Sequence, residues 1–223
     1  MKHLSLFVLL APLLINMPVT AQQPFSDGEI IYSVKVDLPP GGSPQAANAF
    51  QNSRLIFTFK NYLFRSDMSL GKTTYVTIHN SRDHSAVSLI DAGPEKYLIR
   101  MNAEDWAKET ADYKGLNFTN VSGSMEIAGY KCQKAVGKMK DGNTFTVYYA
   151  PQLIPENSTY SERFEGLKGL PLSFETNTPQ GIKMTMTATS VNISQQPSSK
   201  FDTPSGGYRE ITYAELENLR KNK

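Results

Sequence analysis

The sequence predicts a mainly β fold, an antiparallel meander of nine to eleven short strands with one short central helix and one C-terminal helix. Three observations carry this expectation. Apolar residues recur with period two over most of the chain. Turn residues separate runs of five to eight residues at regular spacing. Helical signals, each with a capping residue, occur only twice in strength.

The elements follow in order. Over residues 29–38, Ile30, Tyr32, Val34, Val36 and Leu38 share one face, with Ile31, Ser33, Lys35 and Asp37 opposite. That alternation predicts a strand with one wet face. The stretch PPGGSP at 39–44 ends it, and the Ala- and Asn-rich residues 45–52 suggest one or two helical turns. Strands are then expected at 55–59, 62–68, 72–78, 86–90 and 96–101, separated by Lys60-Asn61, Gly71, Ser81-Arg82-Asp83-His84 and Ala92-Gly93-Pro94. Asn102 can cap a helix over 103–112, with Asp105 at its positive end. This helix carries Trp106, the only tryptophan, expected to pack on the sheet or to stack on a ligand.

Asp141-Gly142 predicts a hairpin between 130–140 and 144–150, because Gly tolerates positive φ. Thr178-Pro179-Gln180-Gly181 predicts a turn between strands at 172–176 and 182–193. In the latter, Ile182, Met184, Met186 and Ala188 share a face, whereas Val191 and Ile193 fall on the other parity. A bulge near Thr189-Ser190 would turn both groups inward. After a Pro-, Ser- and Gly-rich stretch at 195–207, Thr212 and Glu215 form a capping box for a helix through Arg220, with Leu216 and Leu219 as its apolar contacts.

The N-terminus has the layout of a secretory signal peptide. Lys2 and His3 precede an apolar run at 4–15, and Pro18-Val19-Thr20-Ala21 supplies small residues before a cut near Ala21. The run is shorter than the roughly 20 residues a membrane span needs. No Cys follows the cut for lipid attachment. The expectation is export, to the periplasm or beyond the cell, with no membrane span in the remaining chain. The expected division is 1–21 signal peptide, 22–27 linker, 28–200 a single β-rich domain and 201–223 a C-terminal segment with its short helix.

The residues argue against several chemistries. The net charge is +2, or +1 without Lys2, and strand alternation scatters Lys131, Lys134, Lys138 and Lys140, so no nucleic-acid partner is expected. Cys132 is the only cysteine, which excludes an internal disulfide and a cysteine metal site; it is expected to be a buried small hydrophobe. His79 and His84 flank a turn and, with Asp83 or Asp91, could offer three metal ligands; no His-Glu-x-x-His occurs, and no metal or other cofactor is expected. No Gly-x-Ser-x-Gly elbow is present, and Asp202-Thr203 precedes Pro204 rather than Gly. Glu162 and Glu165 are close in sequence, but spacing alone does not make them a catalytic pair. The chain is therefore not expected to be an enzyme. In Gly166-Leu167-Lys168-Gly169-Leu170-Pro171 a strand follows the glycines, and Pro171 lacks an N–H for a phosphate. That stretch is expected to turn the chain, with Leu167 and Leu170 anchored in the core.

Four motifs in order, Ile127-Ala128-Gly129-Tyr130-Lys131-Cys132-Gln133-Lys134-Ala135, Val147-Tyr148-Tyr149-Ala150, Gly166-Leu167-Lys168-Gly169-Leu170-Pro171-Leu172 and Phe201-Asp202-Thr203-Pro204-Ser205-Gly206-Gly207-Tyr208, resemble those of the exported DUF4412 proteins. The Gly-Leu-Pro-Leu portion is also similar to the GLPGLI family. The strand pattern resembles LolA/LolB-like envelope proteins. The resemblance covers most of the chain after the signal peptide. It implies a curved antiparallel sheet, a half-open barrel closed on one side by helices, with room for acyl chains or other hydrophobic molecules. It brings no catalytic set. The inward positions expected to line such a cavity are Phe57, Phe59, Tyr75, Tyr97, Trp106, Met184 and Met186. The expected function is a carrier or binder of a lipid or other hydrophobic molecule. The alternative is an envelope module with a filled core that binds a protein or glycan through an exposed patch or an edge strand.

Overall fold

The computed structural model describes residues 22–39, 41, 48–177 and 181–222. In chain order the elements are β1 (Gln23–Phe25), β2 (Asp27–Asp37), β3 (Arg54–Lys60), β4 (Leu63–Leu70), β5 (Thr73–Asn80), β6 (Ser85–Ala92), β7 (Glu95–Met101), α1 (Ala103–Glu109), β8 (Asn117–Ile127), β9 (Tyr130–Lys138), β10 (Thr144–Ala150), β11 (Leu153–Pro155), β12 (Leu170–Asn177), β13 (Lys183–Asn192), β14 (Arg209–Ile211) and α2 (Tyr213–Lys221). Residues 1–21, expected as a signal peptide, residues 45–47 of the Ala- and Asn-rich stretch and three residues of the 178–181 turn lie outside the described residues.

Twelve strands form one curved sheet that does not close, in the order β14-β7-β6-β5-β4-β3-β2-β13-β12-β10-β9-β8. It consists of two meanders. One runs from β2 to β7, the other from β8 to β13, and the pairing of β2 with β13 joins them. All neighbours are antiparallel except β14, which lies parallel to β7. The mainly β expectation is met, with more strands than expected. Residues 22–27, expected as a linker, carry β1, which pairs in parallel with β11 because Phe25 is buried against Phe59.

Local details follow from the residues. The β2–β13 register shifts between Ala188 and Ser190, so Ala188 pairs with Tyr32 and Val191 with Ile30. This is the bulge that the parity change demands. Asn102 Oδ1 accepts the Asp105 N–H at 2.9 Å and starts α1. In α2 the Thr212 hydroxyl accepts the Glu215 N–H, and Glu215 accepts the Thr212 N–H at 2.7 Å. Leu216 is buried, but Leu219, expected as a second apolar contact, is 40% exposed. At Gly169 an added Cβ would sit 2.3 Å from the Ala150 carbonyl oxygen, and Leu170 beside it is fully buried. Leu167 packs against the core. The glycine stretch thus turns and anchors the chain.

The main core lies between the inner face of the sheet and residues folded over it. Tyr32 packs edge-on to Phe57 at 5.1 Å and donates its hydroxyl to the Pro171 carbonyl at 2.8 Å. Phe174 packs on Phe164 at 4.9 Å. A second cluster, Ile99, Met101, Ile211, Tyr213 and Leu216, seats α2 on the β7 end. A third, Val76, Ile78, Leu89 and Leu98, faces the other way and is covered by Phe201 and Tyr208. Cys132 is buried, as expected, and burial pushes its thiol up to about 11.

Candidate functional site

The second meander carries a loop, residues 156–169, that has no strand partner and folds back over the inner face. Tyr160 lies on Phe59 and Phe64, at 5.0 and 5.1 Å between rings. A short 3-10 turn, Glu162–Phe164, drives Phe164 into the core. From the other side, α1 places Trp106 flat on His79 of β5, at 4.8 Å and 25°.

A cleft remains between α1, this loop and the sheet. Its inner lobe, about 270 Å³, has Leu55, Phe57, Phe64, Met68, Phe174 and Met186 among its walls. Its outer lobe, about 420 Å³, has His84, Ala107, Lys114 and Glu165 on its rim. Trp106, Thr110, Tyr113 and Glu162 border both lobes. Arg220 of α2 grips Glu109 at the end of α1 with two hydrogen bonds, 2.6 and 2.8 Å, which ties the two helices together.

The polar groups of the cleft are few. Trp106 Nε1 donates to Glu162 Oε1 at 2.6 Å. His79 Nδ1 lies 3.2 Å from the Tyr160 carbonyl oxygen, which can only accept, so the proton sits on Nδ1. His79 Nε2 is then a lone pair, 3.9 Å from Glu162 Oε1 and without a hydrogen-bond partner. Burial lowers the imidazole pKa and outweighs the opposing pull of Glu162. His79 is therefore a neutral ring that supports Trp106. Deeper in, Arg163 Nη2 donates to the Glu175 carbonyl at 2.6 Å. Its guanidinium lies 5.0 Å from the Phe145 ring and 5.2 Å from the Phe174 ring.

Of the positions expected to line a cavity, Phe57, Trp106 and Met186 border the inner lobe. Phe59 and Met184 are packed into the main core and do not. Tyr75 is 44% exposed, beyond the reach of the covering loop. Tyr97 borders a separate groove of about 240 Å³ with Ile211 and Leu219. Sequence reasoning missed Tyr113, Tyr160, Arg163, Phe164 and Phe174. The aromatic density of Tyr160-Ser161-Glu162-Arg163-Phe164 was the one available signal. His79 faces inward while His84 sits on the rim, and among the described residues no three His, Cys, Asp or Glu side chains converge as a metal set.

No family model matches the chain, and no curated protein does. Among solved structures, the chain is similar to PNGF-II at 17% identity and a TM-score of 0.48, over 87% of this chain and 33% of that one. It is similar to MucB at 13% identity and a TM-score of 0.38, over 83% of this chain and 59% of that one. A beta-barrel-like protein of domain of unknown function DUF1849 from Brucella abortus aligns at 6% identity and a TM-score of 0.34, over 77% of this chain and 99% of that one. The chain thus spans a third of the length of PNGF-II.

Proposed function

We propose that this protein is a non-enzymatic binder or carrier of a lipid or another hydrophobic molecule, held in the cleft beneath α1. One observation carries the reading: a lobe of about 270 Å³, open to solvent, is walled on its inner side by the apolar residues Leu55, Phe57, Phe64, Phe174 and Met186 of the main core. At roughly 30 Å³ per water, that is room for about nine waters, or a stretch of acyl chain of similar bulk. Apolar walls wetted by solvent gain free energy when an apolar ligand covers them. Met68 and Met186 suit a flexible occupant, because an unbranched thioether adapts its shape. Both lobes open to solvent and share Trp106, Thr110, Tyr113 and Glu162 as walls. Resemblance to the DUF4412 proteins supports the same reading. Export through the N-terminal 21 residues would set this binding in the periplasm or outside the cell.

The test is titration with a neutral, environment-sensitive dye. The native protein should bind it saturably with a blue-shifted emission. Ser66→Phe, which projects a ring into the inner lobe from β4, should abolish binding while the circular dichroism stays native. Undiminished binding in that variant, or no saturable binding in the parent, contradicts the proposal.

A second reading, an interaction module for an envelope protein or glycan, rests on β8. This edge strand is 11 residues long, pairs only with β9, and bears Glu126 as its one charge. It has neither Lys nor Pro to guard the edge, and its one interruption is the register shift between Val121 and Ser124. Val121 and Met125 are 39% and 45% exposed on it. Cross-linking from position 121 in the envelope should then capture a specific partner, and Val121→Lys should prevent it.

A further inference from the structure

Building on the binding reading above, we infer that the ligand is amphipathic, a long-chain carboxylate, and that Arg163 receives its anionic head at the inner end of the cleft. A guanidinium stays charged and carries five N–H donors. Arg163 uses one on the Glu175 carbonyl at 2.6 Å, and the Tyr113 ring lies 5.6 Å from its guanidinium. Its Nε is sealed from solvent with no hydrogen-bond partner. Among the described residues, no carboxylate lies within ion-pair distance of it. Glu162, next in the chain, is turned toward Trp106 Nε1 and His79. Glu175 offers Arg163 its backbone oxygen only, since its carboxylate is paired with Lys183 at 2.7 Å. Burial works against the charge, and the surrounding aromatic faces offset part of that cost.

A half-buried cation with a sealed Nε and no anion partner is costly, and this one borders the same lobe as Met68, Phe174 and Met186. A neutral hydrocarbon would leave the charge as it stands. A carboxylate at the end of an alkyl chain satisfies both the apolar walls and the guanidinium, in the forked geometry that Arg favours. The competing role is purely structural, with Arg163 pinning the loop to β12. That role predicts no preference among ligands.

The experiment compares a saturated fatty acid with the alcohol of equal chain length as displacers of the neutral dye, at pH 8, on the parent protein, Arg163→Lys and Arg163→Met. The parent should favour the acid by about tenfold or more, as a charge-assisted pair would. Arg163→Lys should keep part of that preference, and Arg163→Met should lose it while still binding the alcohol. Equal affinities for acid and alcohol in the parent overturn the head-group assignment and leave the hydrophobic reading intact. Preference retained in Arg163→Met also overturns it. If neither compound displaces the dye, or the dye does not bind, the binding reading falls and this inference with it. Should Arg163→Met fail to fold, the acid-to-alcohol ratio in the parent and in Arg163→Lys still decides.

Discussion

Gly169 provides a sharp test of how the covering loop is anchored. It has φ +157°, and an added Cβ would lie 2.3 Å from the Ala150 carbonyl oxygen, 2.8 Å from the Ala150 carbonyl carbon and 2.8 Å from Tyr149 Cδ2. The nearest atoms belong to the backbone of β10, where Ala150 pairs with Leu170 of β12. They cannot retreat without opening the ladder. Overpacking of this kind costs about 1–3 kcal/mol, and an unfavourable backbone conformation about 1–3 kcal/mol more. Gly169→Ala should therefore cost about 2–6 kcal/mol, a large part of the roughly 5–15 kcal/mol that holds a domain folded. Gly166→Ala is the control. Gly166 has φ +82°, yet nothing lies within 4 Å of its added Cβ. It should cost only the left-handed strain, about 1–2 kcal/mol. With a urea slope of about 2–3 kcal/mol/M, the midpoint should fall by about 1–2 M in Gly169→Ala and about 0.5 M in Gly166→Ala. Equal shifts in the two variants would refute the steric argument.

Three further outcomes follow. Burial holds His79 below the ordinary imidazole value of about 6.5, against the pull of Glu162, so the unfolded chain takes up its proton first as pH falls. Its contribution is present above about pH 6.5 and is lost as pH drops below it; urea midpoints at two pH values should show this decline, with a shallower one in His79→Gln. Cys132 is 1% exposed and its thiol is raised to about 11, so the native protein should resist an aromatic disulfide reagent that reacts promptly once urea is added. Thr212→Ala removes the capping box and should cost about 1 kcal/mol, seen as faster hydrogen exchange in α2.

Strands with one buried and one wet face were legible through their alternation. β2 shows this best, with Ile30, Tyr32 and Val34 buried. β8 escaped notice because an edge strand exposed on both faces needs no apolar alternation, and Asn117, Asn120, Ser122 and Ser124 supply none. β1, β11 and β14 are three residues each, too short to set a period. At the site, Phe57 and Met186 were visible through strand parity, and Trp106 through its helix. The loop residues were not. Tyr160, Arg163 and Phe164 reach the cleft only because the chain folds back across the sheet, and no local period encodes that return. Tyr75 shares the parity of Thr77 and His79, but parity says which face a residue takes and not how far the cover extends.

The cleft itself is tested most directly through Trp106, the only tryptophan and a wall of both lobes. A fatty acid brominated at mid-chain should quench its fluorescence saturably, and the unbrominated acid should restore it by competition. Quenching that grows linearly without saturation, or no quenching while the protein stays folded, would contradict a ligand site beneath α1.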